Sequence, residues 1–236
     1  MSVAVRLAEV HARIDAAGRG AGRDLSSVRL VAVSKTFPID AVREAYAAGQ
    51  RDFGENRVQE ALDKISASED LPDARWHLLG HLQSNKARKA APAFAMIQSV
   101  DSVDLLQKLD AAAAESGRAP ELLVQVDLAG EDTKYGTPPT EVPRILDAAA
   151  RCRAAGVVGL MTLPPIPATP EDARPWFRRL RDLRDGWLAA GVPAGSLREL
   201  SMGMSGDFEV AVQEGATIVR VGTAIFGARK GPALAP

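Results

Sequence analysis

The chain has a single cysteine, Cys152, and so cannot close an internal disulfide, which fits a reducing compartment. No apolar run approaches the length needed to cross a membrane. The opening residues Met1-Ser2-Val3-Ala4-Val5-Arg6 contain no apolar signal core. The expectation is a cytoplasmic protein without a membrane partner. Charge excess is missing too. With 29 basic against 30 acidic residues and a pI near 6.3, nothing marks a nucleic-acid or anionic-lipid surface. There is no G-x-G-x-x-G opening a helix and no G-x-x-x-x-G-K-[ST], so nicotinamide and P-loop chemistry lose their main support. His77 and His81 stand four apart, but that spacing joins metal ligands only on a helix. Leu78-Leu79-Gly80 reads as a strand entering a turn, without H-E-x-x-H or a cysteine pair, so no metal is expected. His77 is expected to pack inside the fold and His81 to line its mouth. Signatures of a serine or cysteine nucleophile are also absent.

What is present is an ample apolar fraction, 46%, and a regular alternation of patterns over 236 residues. Val3, Leu7, Val10 and Ile14 recur at helical spacing, predicting an N-terminal helix that Gly18 and Gly20 end. Strand-like runs follow at 28–33, 51–54, 75–80, 95–99, 121–128, 157–163, 198–202 and 217–221. Helical patterns lie between them, at 38–49, 56–68, 84–92, 102–116, 138–155, 170–190 and 206–214. Eight strands alternating with helices at this length predict an α/β fold, a (β/α)8 or TIM barrel, whose usual size is about 250 residues. No linker or low-complexity tract divides the chain, so residues 1–236 read as one domain. A doubly wound open sheet is the alternative, weakened by the absence of a glycine-rich turn after the first strand.

In a barrel of this kind functional residues sit at the C-terminal ends of the strands, with phosphate near the last two. Lys35 follows the apolar run Val28–Val33. Only seven of the 29 basic residues are lysine, so a lysine at a strand end stands out where arginine is the habitual cation. A partly desolvated amine can condense with an aldehyde, which a guanidinium cannot do. Alone, Lys35 reads first as a solvated strand cap, since most charged side chains stay exposed. Asn56, in Gly54-Glu55-Asn56-Arg57, lies at the second strand's end. Strand seven ends in Ser201-Met202-Gly203-Met204-Ser205, strand eight in Val219-Arg220-Val221-Gly222-Thr223. Gly203 and Gly222 allow close backbone approach. Ser205 and Thr223 offer hydroxyls beside helix-opening amides, a phosphate cup or a pair of plain N-caps. Arg220 interrupts an apolar strand, and alternation sends either it or Val219 inward. An inward arginine needs a partner, be it a ring nitrogen, a phosphate or a carboxylate.

Five segments carry a family resemblance: Val31–Lys35, Phe53–Glu60, Trp76–Lys86, Leu200–Ser205 and Val219–Gly227. In order and spacing they closely resemble the YggS/PROSC family of pyridoxal-phosphate homeostasis proteins over nearly the whole chain. The resemblance implies the barrel of the alanine racemase N-terminal domain, with pyridoxal 5'-phosphate as a Schiff base on Lys35. It implies Arg220 facing the pyridine nitrogen, Ser205, Gly222 and Thr223 holding the phosphate, and Asn56 beside the cofactor. The loop Asp127–Gly136 also looks like the family's and brings Lys134 and Tyr135 near the mouth.

Two functions follow from the resemblance. One is a carrier or regulator of vitamin B6, with apo-enzymes as acceptors and no reaction of its own, expected to be monomeric. The alternative is a pyridoxal-phosphate-dependent racemase or related enzyme. An arginine at the ring nitrogen weakens the electron sink. The β-rich domain that supplies an opposite-face tyrosine in the racemases is not expected here. Tyr46 falls on a helix away from the mouth, leaving Tyr135 as the residue that keeps the enzyme reading open. The carrier reading is preferred.

Overall fold

The computed structural model describes residues 1–24, 27–130 and 135–228. Eight parallel strands close on themselves in sequence order: β1 (Arg29–Val33), β2 (Asp52–Glu55), β3 (Arg75–Leu78), β4 (Met96–Val100), β5 (Glu121–Gln125), β6 (Gly156–Met161), β7 (Glu199–Ser201) and β8 (Ile218–Val221). Around them run α1 (Val3–Gly20), α2 (Ile39–Ala47), α3 (Val58–Ser66), α4 (Ala87–Ala90), α5 (Val103–Ser116), α6 (Val142–Ala149), α7 (Arg174–Ala189), α8 (Phe208–Gln213) and α9 (Thr223–Phe226). The expected (β/α)8 barrel, with its extra N-terminal helix, is what forms.

Closure rests on β8 lying beside β1 in a fixed register, with Arg29 opposite Ile218, Val31 opposite Arg220 and Ala32 opposite Val221. Alternate residues of a strand face opposite sides, so register decides which side chains share the interior. Val31, Met96, Leu123, Val158, Met161 and Ile218 pack together inside the barrel. Their neighbours Leu30, Ala32, Phe53, Leu122, Leu160, Val219 and Val221 face the helices and join the larger core between the layers.

The helices start and stop for local reasons. Ser2 caps α1, its Oγ accepting the Val5 amide at 3.3 Å, and the stripe Val3, Leu7, Val10 and Ile14 is buried. That stripe lies against α2, α8 and α9, so α1 covers the outside of the junction between the barrel's first and last units. Ser102 caps α5, which Gly117 ends in a left-handed conformation at φ 67°. Several segments are shorter than their patterns predict, and in two the difference is largest. The helix expected over 138–155 is α6, ending at Ala149, because Asp110 Oδ1 accepts the amides of Arg153, Ala154 and Ala155 and fixes them as a turn. The helix expected over 84–92 opens as a 3-10 turn, Ser84–Lys86, before the four residues of α4. Among the described residues no helix is long and apolar enough to cross a membrane.

Candidate functional site

Strand alternation extends past β1. Val31 lies in the inner cluster, and Lys35 continues the same inward series two residues beyond Val33, half-buried at the C-terminal mouth. The turn that carries it is tightly held. The Phe37 amide donates to Ser34 O, and Thr36 sits at φ 69°, a left-handed conformation rare outside glycine. The Thr36 amide donates to Glu60 Oε1 at 2.6 Å, which ties the turn to α3.

Behind this turn, on the helix side of the sheet, lies a buried ionic bracket. Lys64 Nζ donates to Glu55 Oε1 at 2.7 Å, to Glu60 Oε1 at 3.1 Å and to the Ser34 carbonyl at 2.8 Å. Ser34 Oγ also donates to Glu55 Oε1, at 2.7 Å. Burial pushes the Glu55 carboxyl up against the opposing bonds from Lys64 and Ser34. Removing one member of such a buried pair typically costs about 3–5 kcal/mol, since the other charge is left uncompensated. The bracket joins the ends of β1 and β2 directly under Lys35.

Arg220 resolves the choice that alternation left open: it points inward. Its register partner is Val31, it is only 3% exposed, and Ile218 two residues earlier lies in the inner cluster. Nη1 donates to Ser201 Oγ at 2.6 Å and Nη2 to the Thr162 carbonyl at 2.8 Å. Burial pushes its pKa down to about 10, with the Asp207 carboxylate acting against the shift, so it stays charged at neutral pH. Neither of its hydrogen-bond partners is charged. Deeper in the barrel, His77 Nε2 meets Asp52 Oδ1 at 2.9 Å, and Asp52 Oδ2 accepts from Arg75 at 2.6 Å. His77 is thus the interior packing histidine its context predicts, 1% exposed.

The cup forms between β7 and β8. Gly203, at φ 94°, turns the chain where a Cβ would come within 2.5 Å of Ala211 Cβ, so only glycine fits. Ser205 Oγ then reaches the next loop and accepts the amides of Gly222 at 3.1 Å and Ala224 at 3.4 Å. The hydroxyl therefore caps α9 in this structure. Its hydrogen takes no part in those two bonds, which leaves it to donate outward. Asp207 Oδ1 accepts the Met204 amide at 2.6 Å and steadies the same loop. Thr223, exposed, stands beside Gly222 at the opening of α9.

On the far side of the mouth a cavity of about 730 Å³ is lined by Asn56, Gly80, His81, Gln125, Tyr135 and Leu163, among others. Asn56 enters through a close approach, since a Cβ on Gly80 would fall 2.1 Å from the Asn56 carbonyl. His81 lines the mouth as expected, its ring stacked on Tyr135 at 3.8 Å and 8°. Lys134 lies outside the described residues. Among those described, no group of three or more His, Cys, Asp or Glu is placed to hold a metal ion. The structure thus brings Lys35, Asn56, Ser205, Arg220, Gly222 and Thr223 to one end of the barrel. Sequence reasoning missed Ser201, Thr162, Gln98 and Asp52 inside, and Lys64 and Glu55 outside. Gln98 did leave a signal: an amide inside the strand Met96-Ile97-Gln98-Ser99-Val100, fully buried.

An amine at a strand end, a buried cation on the strand beside it and a serine bridging the loops after the last two strands make this a (β/α)8 barrel whose polar groups gather at its C-terminal mouth. Residues 5–230 match the family described as "Alanine racemase, N-terminal domain". A protein of Aquifex aeolicus named "Pyridoxal phosphate homeostasis protein" is 42% identical over 98% of this chain and 100% of its own. The structure of PipY from Synechococcus elongatus with PLP bound is 44% identical with a TM-score of 0.82, covering 96% of this chain and all of PipY. An alanine racemase of Clostridium difficile, 15% identical, shares the fold at a TM-score of 0.70 over 87% of this chain and 54% of its own. The chain belongs to the pyridoxal phosphate homeostasis protein family.

The Asp52 pair gives a pH-dependent prediction. Burial alone would raise its carboxyl, but the bonds from His77 and Arg75 outweigh it and hold the group below its ordinary 3.8. A carboxyl held low contributes stability above its unfolded value and loses it as pH falls through the folded one. Asp52→Asn should lower the unfolding free energy by about 1–3 kcal/mol at neutral pH. In urea titrations the gap to wild type should shrink as pH drops below 3.8. A gap unchanged at acid pH would show that the charge contributes nothing.

Proposed function

We propose that the chain binds pyridoxal 5'-phosphate at the barrel mouth and serves vitamin B6 homeostasis, holding the cofactor and yielding it to apo-enzymes. One observation carries this reading: Val31 and Arg220 are register partners, so the inward series that leads to Lys35 rises beside the inward arginine, with the Ser205–Gly222 cup at the same mouth. The residues fit the group. Lys35 supplies the amine of the Schiff base, and Arg220 has N–H donors to spare beyond those given to Ser201 and Thr162. The Ser205 hydroxyl, Thr223 and the unobstructed backbone of Gly222 suit a phosphate, and Asn56 flanks the ring. The PLP-bound PipY structure and the names of the relatives support the same ligand. We further propose a monomeric, cytoplasmic protein acting as one barrel unit over residues 1–236.

Bound pyridoxal phosphate supplies an aldehyde for amines and an electron sink for carbanions. Arg220 is tuned against the second use. Although burial lowers its pKa, it remains a donor at neutral pH, and a donor at the ring nitrogen leaves that nitrogen without its own proton. Carrier chemistry needs only reversible capture of the aldehyde, in which the Lys35 amine adds to the carbonyl carbon and water leaves.

Borohydride should fix the cofactor to one lysine, and peptide mapping should find that lysine at position 35. An adduct mainly elsewhere would sink the assignment. Replacing the hydroxyls in Ser205→Ala and Thr223→Val should weaken pyridoxal phosphate much more than unphosphorylated pyridoxal, by roughly 1.5–3 kcal/mol per charge-assisted bond lost. Equal losses for both ligands would reduce these side chains to helix caps. Loaded protein should activate an added apo-enzyme while free amino acids keep their configuration. Racemisation at ordinary turnover, about 1–1,000 per second, abolished by Tyr135→Phe, would install the enzyme reading instead.

A further inference from the structure

The partner of Arg220, Ser201 Oγ, is the first link of a hydrogen-bonded file that crosses the barrel. Ser201 Oγ lies 2.6 Å from Gln98 Oε1, Gln98 Nε2 lies 3.2 Å from His77 Nδ1, and His77 Nε2 lies 2.9 Å from Asp52 Oδ1. All five side chains are 5% exposed or less, so water does not substitute for any link.

Chemistry at the two ends fixes the direction of every bond between them. A guanidinium can only donate and a carboxylate can only accept. Ser201 Oγ accepts from Arg220, which leaves its one hydrogen for Gln98 Oε1. The Gln98 amide must then turn its NH2 toward His77, so His77 Nδ1 is the acceptor and its proton sits on Nε2, facing Asp52. The opposite amide orientation would strand the Ser201 hydrogen. It would also require either a doubly protonated His77 or a bare Nε2 against the carboxylate. The file thus runs one way, from cation to anion through three neutral groups, an arrangement in which each bond polarises the next.

Among the described residues Arg220 has no carboxylate within bonding distance, and of its two neutral acceptors the Thr162 carbonyl is fixed by the backbone while the Ser201 hydroxyl can rotate unless something holds it. We propose that Gln98 and His77 are positioning residues. They lock Ser201 Oγ as an acceptor and so hold the Arg220 guanidinium in the one orientation that offers its remaining N–H to a ring nitrogen above. Asp52 is the final acceptor at the far end of the file. The inference rests on the reading above that Arg220 faces that ring nitrogen. It adds that the affinity for the nitrogen is set by residues that never touch the ligand.

The test compares pyridoxal phosphate with its analogue in which the ring nitrogen is replaced by C–H, binding being followed by absorbance and by quenching of protein fluorescence. Wild type should prefer pyridoxal phosphate. Gln98→Met keeps the volume but removes both hydrogen bonds. It should weaken pyridoxal phosphate about tenfold, which is 1.4 kcal/mol, and should leave the analogue unaffected. In a Ser201→Ala background, Gln98→Met should add nothing, because the file is already cut. Equal loss for both ligands, or additive losses in the double variant, would overturn the proposal and leave Gln98 a packing residue. A wild type that binds both ligands equally removes Arg220 from the ring nitrogen, and the proposal with it. A wild type that binds neither removes the cofactor reading itself. Independently of any ligand, nitrogen NMR should find His77 neutral with its proton on Nε2. An Nδ1-protonated ring at neutral pH would refute the direction of the file.

Discussion

The register of β8 against β1 is the constraint on which everything at the mouth depends. Sliding that pairing by one residue would turn Arg220 into the helix layer and bring Val219 inside. The barrel would still close, and its apolar residues would still find apolar neighbours. The cation would leave the interior, and the inward series that ends at Lys35 would rise beside valine. The ligand site proposed above, with its amine and its cation on neighbouring strands, exists only in one register.

Placing ions inside a barrel and behind its strands carries a desolvation cost, and the two sides of the sheet meet it differently. Outside, Lys64 and Glu55 pair directly at 2.7 Å, and the Ser34 carbonyl and hydroxyl add to the arrangement. Inside, Arg220 bonds to the neutral oxygens of Ser201 and Thr162, and the carboxylate whose field acts on it, Asp207, stands beyond them without a hydrogen bond to it. Direct pairing rigidifies a turn; bonds to two neutral oxygens leave Arg220 with further N–H groups to donate. The same problem of buried charge is met in two different ways on the two sides of one sheet.

Much of this was legible in the chain. Apolar strands alternating with amphipathic helices announce the barrel, because each pattern reports which faces are buried. Lys35, Ser205, Gly222 and Thr223 announce themselves by lying at strand ends, where the fold keeps its ligands. Arg220 stood out as a charge in an apolar strand, but its direction depended on pairing across nearly the whole chain, which no local pattern encodes. Gln98, Ser201 and His77 belong to separate strands and become one file only after closure. Lys64 resembled any solvated helical lysine, since the carboxylates that bury it come from β2 and from one turn earlier in α3. The shortened α6 has the same origin, for Asp110 caps a segment more than forty residues away.

The position of α1 has a consequence for how the chain is made. This helix is made before every other described element, yet α8 and α9, which pack against it, are made after almost all of them. Arg13 reaches Glu209, and Arg6 reaches the carbonyl of Ile225, close to two hundred residues downstream. For most of synthesis Val3, Leu7, Val10 and Ile14 have α2 for company and no lasting cover. Contacts of such long sequence separation form late and slowly, and a nascent chain carries its exposed apolar stripe until they do. The helix that covers the junction of the finished barrel therefore presents, during translation, an apolar stripe open to other chains.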